Sequence, residues 1–426
     1  MGMRVLIVGG GGREHALAWK ALQSPLTSAV YCAPGNAATG AIAVNAEIEV
    51  TDVEGIARLV KEREVDLTVI GTEAAVAAGL AERLQADGRL VFGPSSAAGQ
   101  IESSKAYAKQ LMKAAGVPTP EYRVFDQADI AKDFVRGERR PFVVKADGLA
   151  MGKGTLVARD VDQTLESIDS LMLQRSAGAA AERILLEERV EGREVSLMAL
   201  VDGERVVPLE PVCDYKRALD GDRGPNTGGM GGYSPVSFFG PADVARAVET
   251  SLRPIVNALS EQGAIFRGCL YAGLMVGDTG VQVLEYNARF GDPETQVLLP
   301  RLEVDLIPLL EECARGELID TPSWSNLSTV GIVLASRGYP GSYETGCAIQ
   351  GLGSIEKDVL VFHAGTSSDE SGYVTSGGRV LTLVARGENM TVARERAYRN
   401  AARIRFDGAT YRSDLALREL EAPALT

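Results

Sequence analysis

Histidine is scarce in this sequence, and the cysteines lack the spacing of a metal or disulfide site. Only His15 and His363 occur among 426 residues. The five cysteines are odd in number and widely spaced, and no two form a CxxC pair. A structural zinc site needs clustered cysteine and histidine ligands, so the sequence argues against this class of site. The cysteines are expected to be reduced thiols of a cytoplasmic protein.

Long apolar runs and a basic charge balance are also absent. No segment reaches the ~18 apolar residues of a membrane helix, and the N-terminus enters a short strand without a signal-peptide pattern. The net charge is −13, whereas general nucleic-acid binders are usually basic. We therefore expect no membrane and no nucleic acid as partner. Small anions remain compatible, because backbone N–H groups and a few cations can hold phosphate.

The order of apolar runs predicts several domains, since a single core rarely exceeds ~250–300 residues. Up to residue 102, short strand-like runs alternate with helical patterns, which indicates a parallel sheet with helices on both faces. A helix capped by Ser103 or Ser104 follows, and the strands FVVK and ILLEERV then predict a lid over about 121–187. The expected class is multidomain, α/β and α+β. Its predicted parts are an N-terminal α/β domain over 1–102, a core with the inserted lid over 103–327, and an α+β domain over 328–426.

The first glycine-rich loop, Gly9 to Gly12, does not match a dinucleotide fingerprint. Glu14 replaces the third glycine of GxGxxG, and the second strand lacks an acid for the ribose of NAD. A strand–loop–helix junction still presents N–H groups and a positive dipole end to a phosphate, and Arg13 can add a bidentate contact. The alternative is a tight turn needed only for packing, and the loop taken alone slightly favours it.

A nucleotide site is indicated around Lys145, which ends the strand FVVK. The glycine-rich segment that follows contains Gly148, Gly152, Lys153 and Gly154. A lysine at a strand end beside a flexible flap suits triphosphate binding, although the GxxxxGK[ST] motif is absent. The alternative for either feature alone is a surface hairpin with a solvated lysine.

The segment ILLEERVEGREVS has the position of a hinge strand. The backbone at Glu188 and Val190 is placed to contact adenine, and Glu194 is placed to accept from ribose hydroxyls. A solvated acidic edge is an equally good interpretation of this segment by itself.

The segment VLEYNARFGDPETQ carries the most specific chemical signal. Glu285, Asn287 and Arg289 alternate, so a strand would direct all three to one face. Carboxylate and amide oxygens suit Mg²⁺, and an arginine beside them can stabilise a transferring phosphoryl group. A water-exposed sheet face would alternate in the same way, but the strand is otherwise apolar, which favours function.

Together these segments resemble the glycinamide ribonucleotide synthetase family of the ATP-grasp superfamily, nearly end to end. The first loop alone is not specific, whereas GPNTGGMG and RFGDPETQ are highly specific. The strings that carry the resemblance are GGREHALAWK, APGN, FGPSSAAGQIESSKAYAK, VKADGLAMGKG, RGPNTGGMGGYSP, YAGLM, NARFGDPETQ, HAGT and TSGGRV.

The resemblance implies an ATP-grasp core with an inserted lid and a role for each matching residue. Contact with ATP is implied for Lys105, Lys145, Gly152, Lys153, Glu187, Val190 and Glu194. Binding of Mg²⁺ or Mn²⁺ is implied for Glu285 and Asn287. Catalysis is assigned to Arg289 and Asp292. Substrate binding is assigned to Gly10, Gly11, Gly12, Arg13, Asp214, Lys216, Asn226, Thr227, Gly228, Gly229 and Glu294.

The sequence departs from the family pattern at three places. Tyr215 stands between Asp214 and Lys216 where the family commonly has histidine, and Thr72 stands where it commonly has proline. The strand CLYAGLMV carries no acid, although many ATP-grasp enzymes place a further metal ligand there. The first two departures bear on contacts to the ribose side, and the third leaves the metal shell to a water or a more distant acid.

The activity that the resemblance implies is the ATP-dependent ligation of glycine to phosphoribosylamine, through glycyl phosphate, by a monomeric cytoplasmic enzyme. An ATP-grasp carboxylase that consumes bicarbonate is the alternative enzyme. A nucleotide sensor without catalysis is the alternative of another class, and the intact Glu285, Asn287 and Arg289 argue against it.

The glycine-rich flap generates the first testable prediction. The segment from Gly148 to Gly154 should be mobile without nucleotide and ordered with it, because clustered glycines give low local stability. Amide hydrogen exchange in this segment should therefore slow when ATP is added. Equally slow exchange with and without ATP would contradict the interpretation as a flap.

Overall fold

A five-stranded parallel sheet forms the N-terminal part of the chain. The computed structural model describes residues 2–150, 154–278, 280–370 and 372–421. The strand order is β3-β2-β1-β4-β5, and every pairing is parallel. The strands are β1 (Met3–Gly9), β2 (Thr27–Pro34), β3 (Val44–Asn45), β4 (Leu67–Ile70) and β5 (Leu90–Phe92). The helices are α1 (Gly12–Ala21), α2 (Thr39–Ile42), α3 (Val53–Glu62), α4 (Glu73–Ala77), α5 (Leu80–Ala86) and α6 (Ser96–Ser103).

A four-stranded antiparallel sheet forms the lid, in the order β6-β9-β7-β8. The helix before it is capped by Ser104, whose Oγ accepts from the backbone N–H of Tyr107 at 3.2 Å. Gly152 and Lys153 of the flap lie outside the described residues. The strands are β6 (Tyr122–Phe125), β7 (Phe142–Ala146), β8 (Thr155–Val157) and β9 (Ile184–Glu188). The helices are α7 (Lys105–Ala114), α8 (Ala128–Glu138) and α9 (Val161–Ile168).

A second antiparallel sheet, in the order β11-β10-β16-β17, forms the core. The helix predicted near 241–262 is present as α10 and α11, joined by a wider helical turn at 248–252. The strands of this part are β10 (Arg193–Asp202), β11 (Val206–Pro208), β12 (Cys213–Asp214), β13 (Arg217–Leu219), β14 (Arg223–Asn226), β15 (Gly231–Ser234), β16 (Arg267–Gly277) and β17 (Gly280–Asn287). The helices are α10 (Pro241–Ala247), α11 (Arg253–Glu261), α12 (Glu294–Leu298) and α13 (Leu306–Arg315).

The last sheet takes two of its strands from the middle of the chain. Its order is β12-β15-β18-β22-β19, so β15 pairs with β18 across the predicted boundary at residue 328, and β12 extends the sheet beyond β15. A separate hairpin, β20 with β21, follows β19. The remaining strands are β18 (Ser328–Ala335), β19 (Leu360–His363), β20 (Thr366–Asp369), β21 (Gly372–Thr375) and β22 (Arg379–Gly387). The helices are α14 (Met390–Ala401) and α15 (Leu417–Glu421).

None of the helices in the described part of the chain has the length and apolarity that crossing a bilayer requires. Apolar side chains of the described residues are buried in separate clusters between the sheets and helices. The central strand β1 shows this well, because Val5 through Val8 are at most 1% exposed. Helices on both faces of the parallel sheet account for that burial.

The only two histidines of the chain meet where the first and last domains touch. The backbone N–H of His363 donates to Nδ1 of His15 at 2.9 Å, and the ring centroids lie 5.9 Å apart. Asn36 reinforces this contact by donating to the carbonyl oxygens of Gly10 and His363. Burial lowers the pKa of His15 to about 3 and that of His363 to about 4. Both rings are therefore neutral near pH 7.

Because the two histidines are buried in their neutral form, the stability of the folded protein should decrease in acid. Since the folded pKa values lie below the unfolded value of about 6.5, the unfolded chain binds protons first as the pH falls. Stability should be full above about pH 7 and should decline from about pH 6.5 toward the folded values. The ring C–H signals of both histidines, followed by NMR, should not titrate between about pH 7.5 and 5. A midpoint near 6.5 for either ring would contradict the burial argument.

Candidate active site

A cavity of about 650 Å³ lies between the lid sheet and the core sheet. All four parts of the chain contribute to its wall, with Arg13 from the first domain, Lys145 from the lid, Glu285 from the core and Arg379 from the last sheet. The residues assigned from the sequence that line this cavity are Arg13, Lys105, Lys145, Glu187, Val190, Glu194, Asp214, Lys216, Asn226, Thr227, Gly228, Glu285, Asn287, Arg289, Asp292 and Glu294.

Lys145 joins the two sheets at one end of the cavity. Its Nζ donates to Oε2 of Glu187 at 2.8 Å and to the carbonyl oxygen of Leu284 at 3.1 Å. Lys145 lies in β7 of the lid, whereas Leu284 lies in β17 of the core. The lysine predicted from the strand end is thus held at the junction of lid and core, and it is 5% exposed.

The Glu187 carboxylate has an unusual environment. It is 2% exposed, and Oε2 accepts from Lys145 and lies 3.1 Å from Nζ of Lys109. Its other oxygen, Oε1, is buried and has no hydrogen-bond partner among the described residues. Since buried polar atoms are usually hydrogen-bonded, this oxygen is an acceptor available to a ligand in the cleft.

Glu285 and Asn287 share a sheet face, as their alternation predicted. In the register of the core sheet, Glu285 is opposite Gly273, and Gly273 is opposite Ser196 on the next strand. The glycine leaves a depression between the carboxylate and the serine, into which Lys216 reaches. Nζ of Lys216 lies 3.8 Å from Oε1 of Glu285 and 3.4 Å from Oε2 of Glu194.

The charge state of Glu285 follows from these neighbours. Burial raises the pKa of the carboxyl, but Lys216, Lys105, Lys145 and Arg289 together lower it to about 2. Glu285 is therefore ionised at neutral pH. Beside the amide oxygen of Asn287 it offers the hard oxygen ligands that a divalent cation prefers. Within the described ranges, no group of three or more His, Cys, Asp or Glu residues has metal-binding geometry.

Arg289 lies just beyond the end of β17, so it does not continue the strand as the alternation predicted. It still reaches back toward the same face, with Nη2 donating to Oδ1 of Asn287 at 3.4 Å. Its main partners are two carboxylates of the first domain, Glu73 at 3.3 Å and Glu102 at 2.9 Å. Although burial opposes its charge, Glu102 and Glu73 keep the pKa of Arg289 raised.

A buried polar cluster lies at the other end of the cavity. Oγ of Ser196 donates to Oδ1 of Asp214 at 3.0 Å, and it lies 2.8 Å from the hydroxyl of Tyr271. That hydroxyl donates to Oε1 of Glu294 at 3.0 Å. Burial raises the pKa of Asp214 to about 6, against the lowering effect of Lys216. Two carboxylates and two hydroxyls thus face one small space.

In the first glycine-rich loop, the side chain of a residue of the following helix α1 already accepts a hydrogen bond from the loop backbone. The N–H of Gly11 donates to Oε2 of Glu14 at 2.7 Å, and Oε1 of Glu14 accepts from Nε of Arg13 at 2.5 Å. The sequence had suggested amides free for a phosphate, whereas here a buried carboxylate already caps the positive end of α1. Gly10 is a close backbone approach, since a Cβ there would lie 2.4 Å from the carbonyl oxygen of Gly35, whereas a Cβ on Gly12 would lie 2.6 Å from Nε2 of the Gln296 side chain.

The loop of Asn226 to Gly229 is held by the last domain. Nη1 of Arg379 donates to the carbonyl oxygens of Gly228 at 2.7 Å and Asp292 at 2.8 Å. The hydroxyl of Tyr339 accepts from the N–H of Gly228 at 2.9 Å. Gly229 has a φ of +113°, and a Cβ there would lie 2.5 Å from Cδ of Pro293. Only glycine therefore fits this approach.

Asp292 is fixed by the same arginine. Burial raises the pKa of its carboxyl, but Arg379 and Arg13 hold it below the usual value. Asp292 was predicted from the sequence and Arg379 was not, although Arg379 belongs to the TSGGRV string. Lys109 was missed as well, and its i+4 spacing from Lys105 on α7 was the available signal. No local sequence pattern indicated that Ser196 and Tyr271 lie close together, because their proximity depends on the register of neighbouring strands.

A lid sheet closing over a core sheet, with lysines on one side and an ionised carboxylate beside an amide on the other, defines an ATP-grasp enzyme. Models of the phosphoribosylglycinamide synthetase family match residues 3–102 as the N domain, 103–295 as the ATP-grasp (A) domain and 329–418 as the C domain. The chain belongs to this family.

Similar proteins cover the whole chain. A phosphoribosylamine–glycine ligase of Halalkalibacterium halodurans is 45% identical over 424 residues, which are 100% of this chain and 99% of that protein. One from Nostoc sp. is also 45% identical, over 98% of this chain and 99% of its own length. The crystal structure of the Thermotoga maritima phosphoribosylamine–glycine ligase superposes with a TM-score of 0.84 at 35% identity, covering 97% of this chain and 100% of that one.

A more distant structure shares the fold alone. The biotin carboxylase domain of the Hydrogenobacter thermophilus 2-oxoglutarate carboxylase superposes with a TM-score of 0.72 at 18% identity, over 96% of this chain and 92% of that chain. That structure was determined with MgADP, ADP and bicarbonate.

Arg289 can act in catalysis, by stabilising a transferring phosphoryl group, or in structure, by holding the first domain to the core. These two roles predict different behaviour of two variants. Arg289→Ala leaves the buried carboxylate Glu102 without its guanidinium and should lower both the melting temperature and kcat, the latter by about 10²-fold. Arg289→Lys keeps the charge and loses the planar fork, so it should melt near the parent and recover only part of kcat. Measured kcat and melting temperature separate the roles. If the folded Lys variant turned over normally, Arg289 would only tie the domains together.

Proposed function

We propose that this enzyme joins glycine to 5-phosphoribosylamine, with ATP converted to ADP and phosphate, and so makes glycinamide ribonucleotide for purine biosynthesis. The observation that carries the proposal is the polarity of one cavity. Lysines and the open Glu187 oxygen line one end, Glu285 and Asn287 lie in the middle, and a buried carboxylate–hydroxyl cluster lies at the other end. This order of groups suits a reaction between a nucleotide and an amine, and the family resemblance supplies the identity of the substrates.

The lysine-lined end is assigned to ATP. Lys145 and Lys105 supply positive charge for the phosphates, and Glu187 supplies an acceptor through its unpartnered oxygen. Val190, on the hinge before β10, and Glu194, at the start of β10, also line the cavity. Gly152 and Lys153 are assigned to the flap over the phosphates from the sequence alone.

Glu285 and Asn287 fit a divalent cation, either Mg²⁺ or Mn²⁺. The carboxylate is ionised because four cationic side chains lower its pKa, and its neighbour is an amide oxygen on the same face. Bound there, the cation would neutralise charge on the phosphates. Lys216 now lies 3.8 Å from Glu285, so it is the side chain that a cation would displace or repel.

The cluster of Asp214, Glu294, Ser196 and Tyr271 is assigned to the amine-bearing substrates. Carboxylates are the natural partners of ammonium groups, and Asp214 is ionised above about pH 6. The loop of Asn226 to Gly229, with Lys216 and Arg13, is assigned to the phosphoribosyl side. Gly10, Gly11 and Gly12 are assigned to that side from the family resemblance alone, since they are not among the residues that line the cavity.

The reaction requires positioning and charge stabilisation, and no side-chain nucleophile. A glycine carboxylate oxygen attacks the γ-phosphorus of ATP, the bond to the bridging oxygen of ADP breaks, and glycyl phosphate forms. The amine of phosphoribosylamine then attacks the acyl carbon, phosphate leaves, and the amine loses a proton. Arg289 stabilises the transferring phosphoryl group, and Asp292 orders the loop beside it. Closure of the lid excludes water that would hydrolyse the acyl phosphate.

The division of the chain is part of the proposal. We assign 1–102 to the N-terminal domain, 103–327 to the ATP-grasp core with its lid at about 121–187, and 328–426 to the C-terminal domain. The enzyme is proposed to act as a cytoplasmic monomer on small-molecule substrates, without nucleic acid or membrane.

Substrate-dependent ADP release tests the function directly. ADP release should require both glycine and phosphoribosylamine, and a mass spectrum should show glycinamide ribonucleotide. In the same assay, Arg13→Ala should raise KM for phosphoribosylamine and leave KM for ATP unchanged, because Arg13 is assigned to the phosphoribosyl side. ADP release that depends on bicarbonate and ignores glycine would identify a carboxylase instead. A rise in KM for ATP alone in Arg13→Ala would move the nucleotide to the first domain.

A further inference from the structure

Lys109 is a buried lysine of the cleft that the assignments above leave without a role. It is 1% exposed and belongs to α7, one helical turn after Lys105. Residues four apart on a helix lie on the same face, so both lysines point toward the cavity that they line. An ammonium group buried to this extent needs close partners, because its desolvation is costly.

The partners of Lys109 connect it to the core sheet. Nζ donates to Oγ1 of Thr119 at 2.6 Å, and Oγ1 donates in turn to the carbonyl oxygen of Val283 at 2.7 Å. Since the hydroxyl uses its one proton on Val283, it must accept from the lysine. Val283 precedes Leu284, whose carbonyl oxygen accepts from Lys145. Adjacent residues of β17 therefore anchor both lysines.

The two lysines converge on one carboxylate oxygen. Oε2 of Glu187 lies 2.8 Å from Nζ of Lys145 and 3.1 Å from Nζ of Lys109. Two contacts on the same oxygen fix the rotation of the carboxylate and leave Oε1 as the open acceptor. Glu187 directly pairs with two ammonium groups and balances only one of their charges, so the other charge is available to an anionic ligand.

We propose that Lys109 is a positioning residue of the nucleotide site, which holds the Glu187 carboxylate and through it keeps Lys145 available to the phosphates of ATP. This inference rests on the proposed function, because it requires ATP in the cleft. Without Lys109, the ammonium of Lys145 would be neutralised by Glu187 alone, and the carboxylate would be free to rotate.

The surroundings of Lys109 add a pH dependence. Burial lowers its pKa to about 8, while Glu187 on β9 raises it and Lys145 on β7 lowers it further. Glu285 on β17 also raises it, and Lys105 and Lys113 lie one turn before and one turn after it on its own helix. As the pH rises through about 8, Lys109 loses its proton and the uncompensated charge disappears. Affinity for ATP should therefore fall over this range.

Calorimetric titration with ATP and Mg²⁺ from about pH 7 to 9 tests the proposal. Lys109→Met should bind ATP about tenfold more weakly at neutral pH and should lose the decline near pH 8. Lys109→Arg keeps its charge throughout the range, so it should retain most of the affinity and show no decline. Lys113→Met is the matched control, one turn further along α7 on an exposed position, and should behave as the parent.

A merely structural role makes a different prediction. In that case Lys109→Met would lower the melting temperature, while its folded fraction bound ATP with the parent affinity and pH profile, and this result would overturn the proposal. If Lys109→Met does not fold, Lys109→Arg and Thr119→Val carry the test. Thr119→Val should raise KM for ATP with a smaller change in kcat, and parent-like pH profiles in both variants would overturn the proposal. A parent chain that bound no ATP would overturn the proposed function itself.

Discussion

The cleft depends on mutual compensation of buried charges, and the same ion pairs join the parts of the chain. Arg289 follows the core strand β17 and pairs with Glu73 and Glu102 of the first domain. Lys109 joins α7 to Glu187 of the lid. Removing one partner of a buried pair leaves an uncompensated charge and commonly costs about 3–5 kcal/mol. These ion pairs therefore contribute to the relative placement of the domains, together with an apolar cluster that also crosses between them, and they set the charges of the cleft.

The same compensation explains how one cavity serves partners of opposite charge. The excess of lysine lies at the junction of lid and core, where phosphates are proposed to bind. The carboxylates of Asp214 and Glu294 lie beyond Lys216, where an amine is proposed to bind. Lys216 contacts Glu194 and Glu285 and faces Asp214, so it separates the two regions. Burial disfavours its charge, but the surrounding acidic groups keep its pKa well above the usual value.

Local sequence patterns predicted most of the elements and a few residues of the cavity wall, such as Lys145 and Glu285, whereas Lys105, Asp214 and Lys216 came from the family resemblance. The parallel sheet, the Ser104 cap and the facing of Glu285 with Asn287 follow from spacing and periodicity, which are local properties. Contacts between distant segments were beyond that reasoning. The pairing of β15 with β18, the partners of Arg289 and the return of Glu14 onto Gly11 depend on tertiary placement. The family resemblance supplied the substrate, which periodicity alone does not contain.

The last sheet includes β12 and β15 from the middle of the chain, and this limits where the protein can be cut into separately folding parts. The central strand β18 would lose its partner β15 if the chain were cut at residue 328, and its backbone N–H and C=O groups would face solvent along an apolar strand. Open edges of this kind promote aggregation. The terminal segment is therefore a poor candidate for separate expression or for exchange as a cassette between related enzymes. A chimera would keep residues 213–234 and the terminal segment from the same parent.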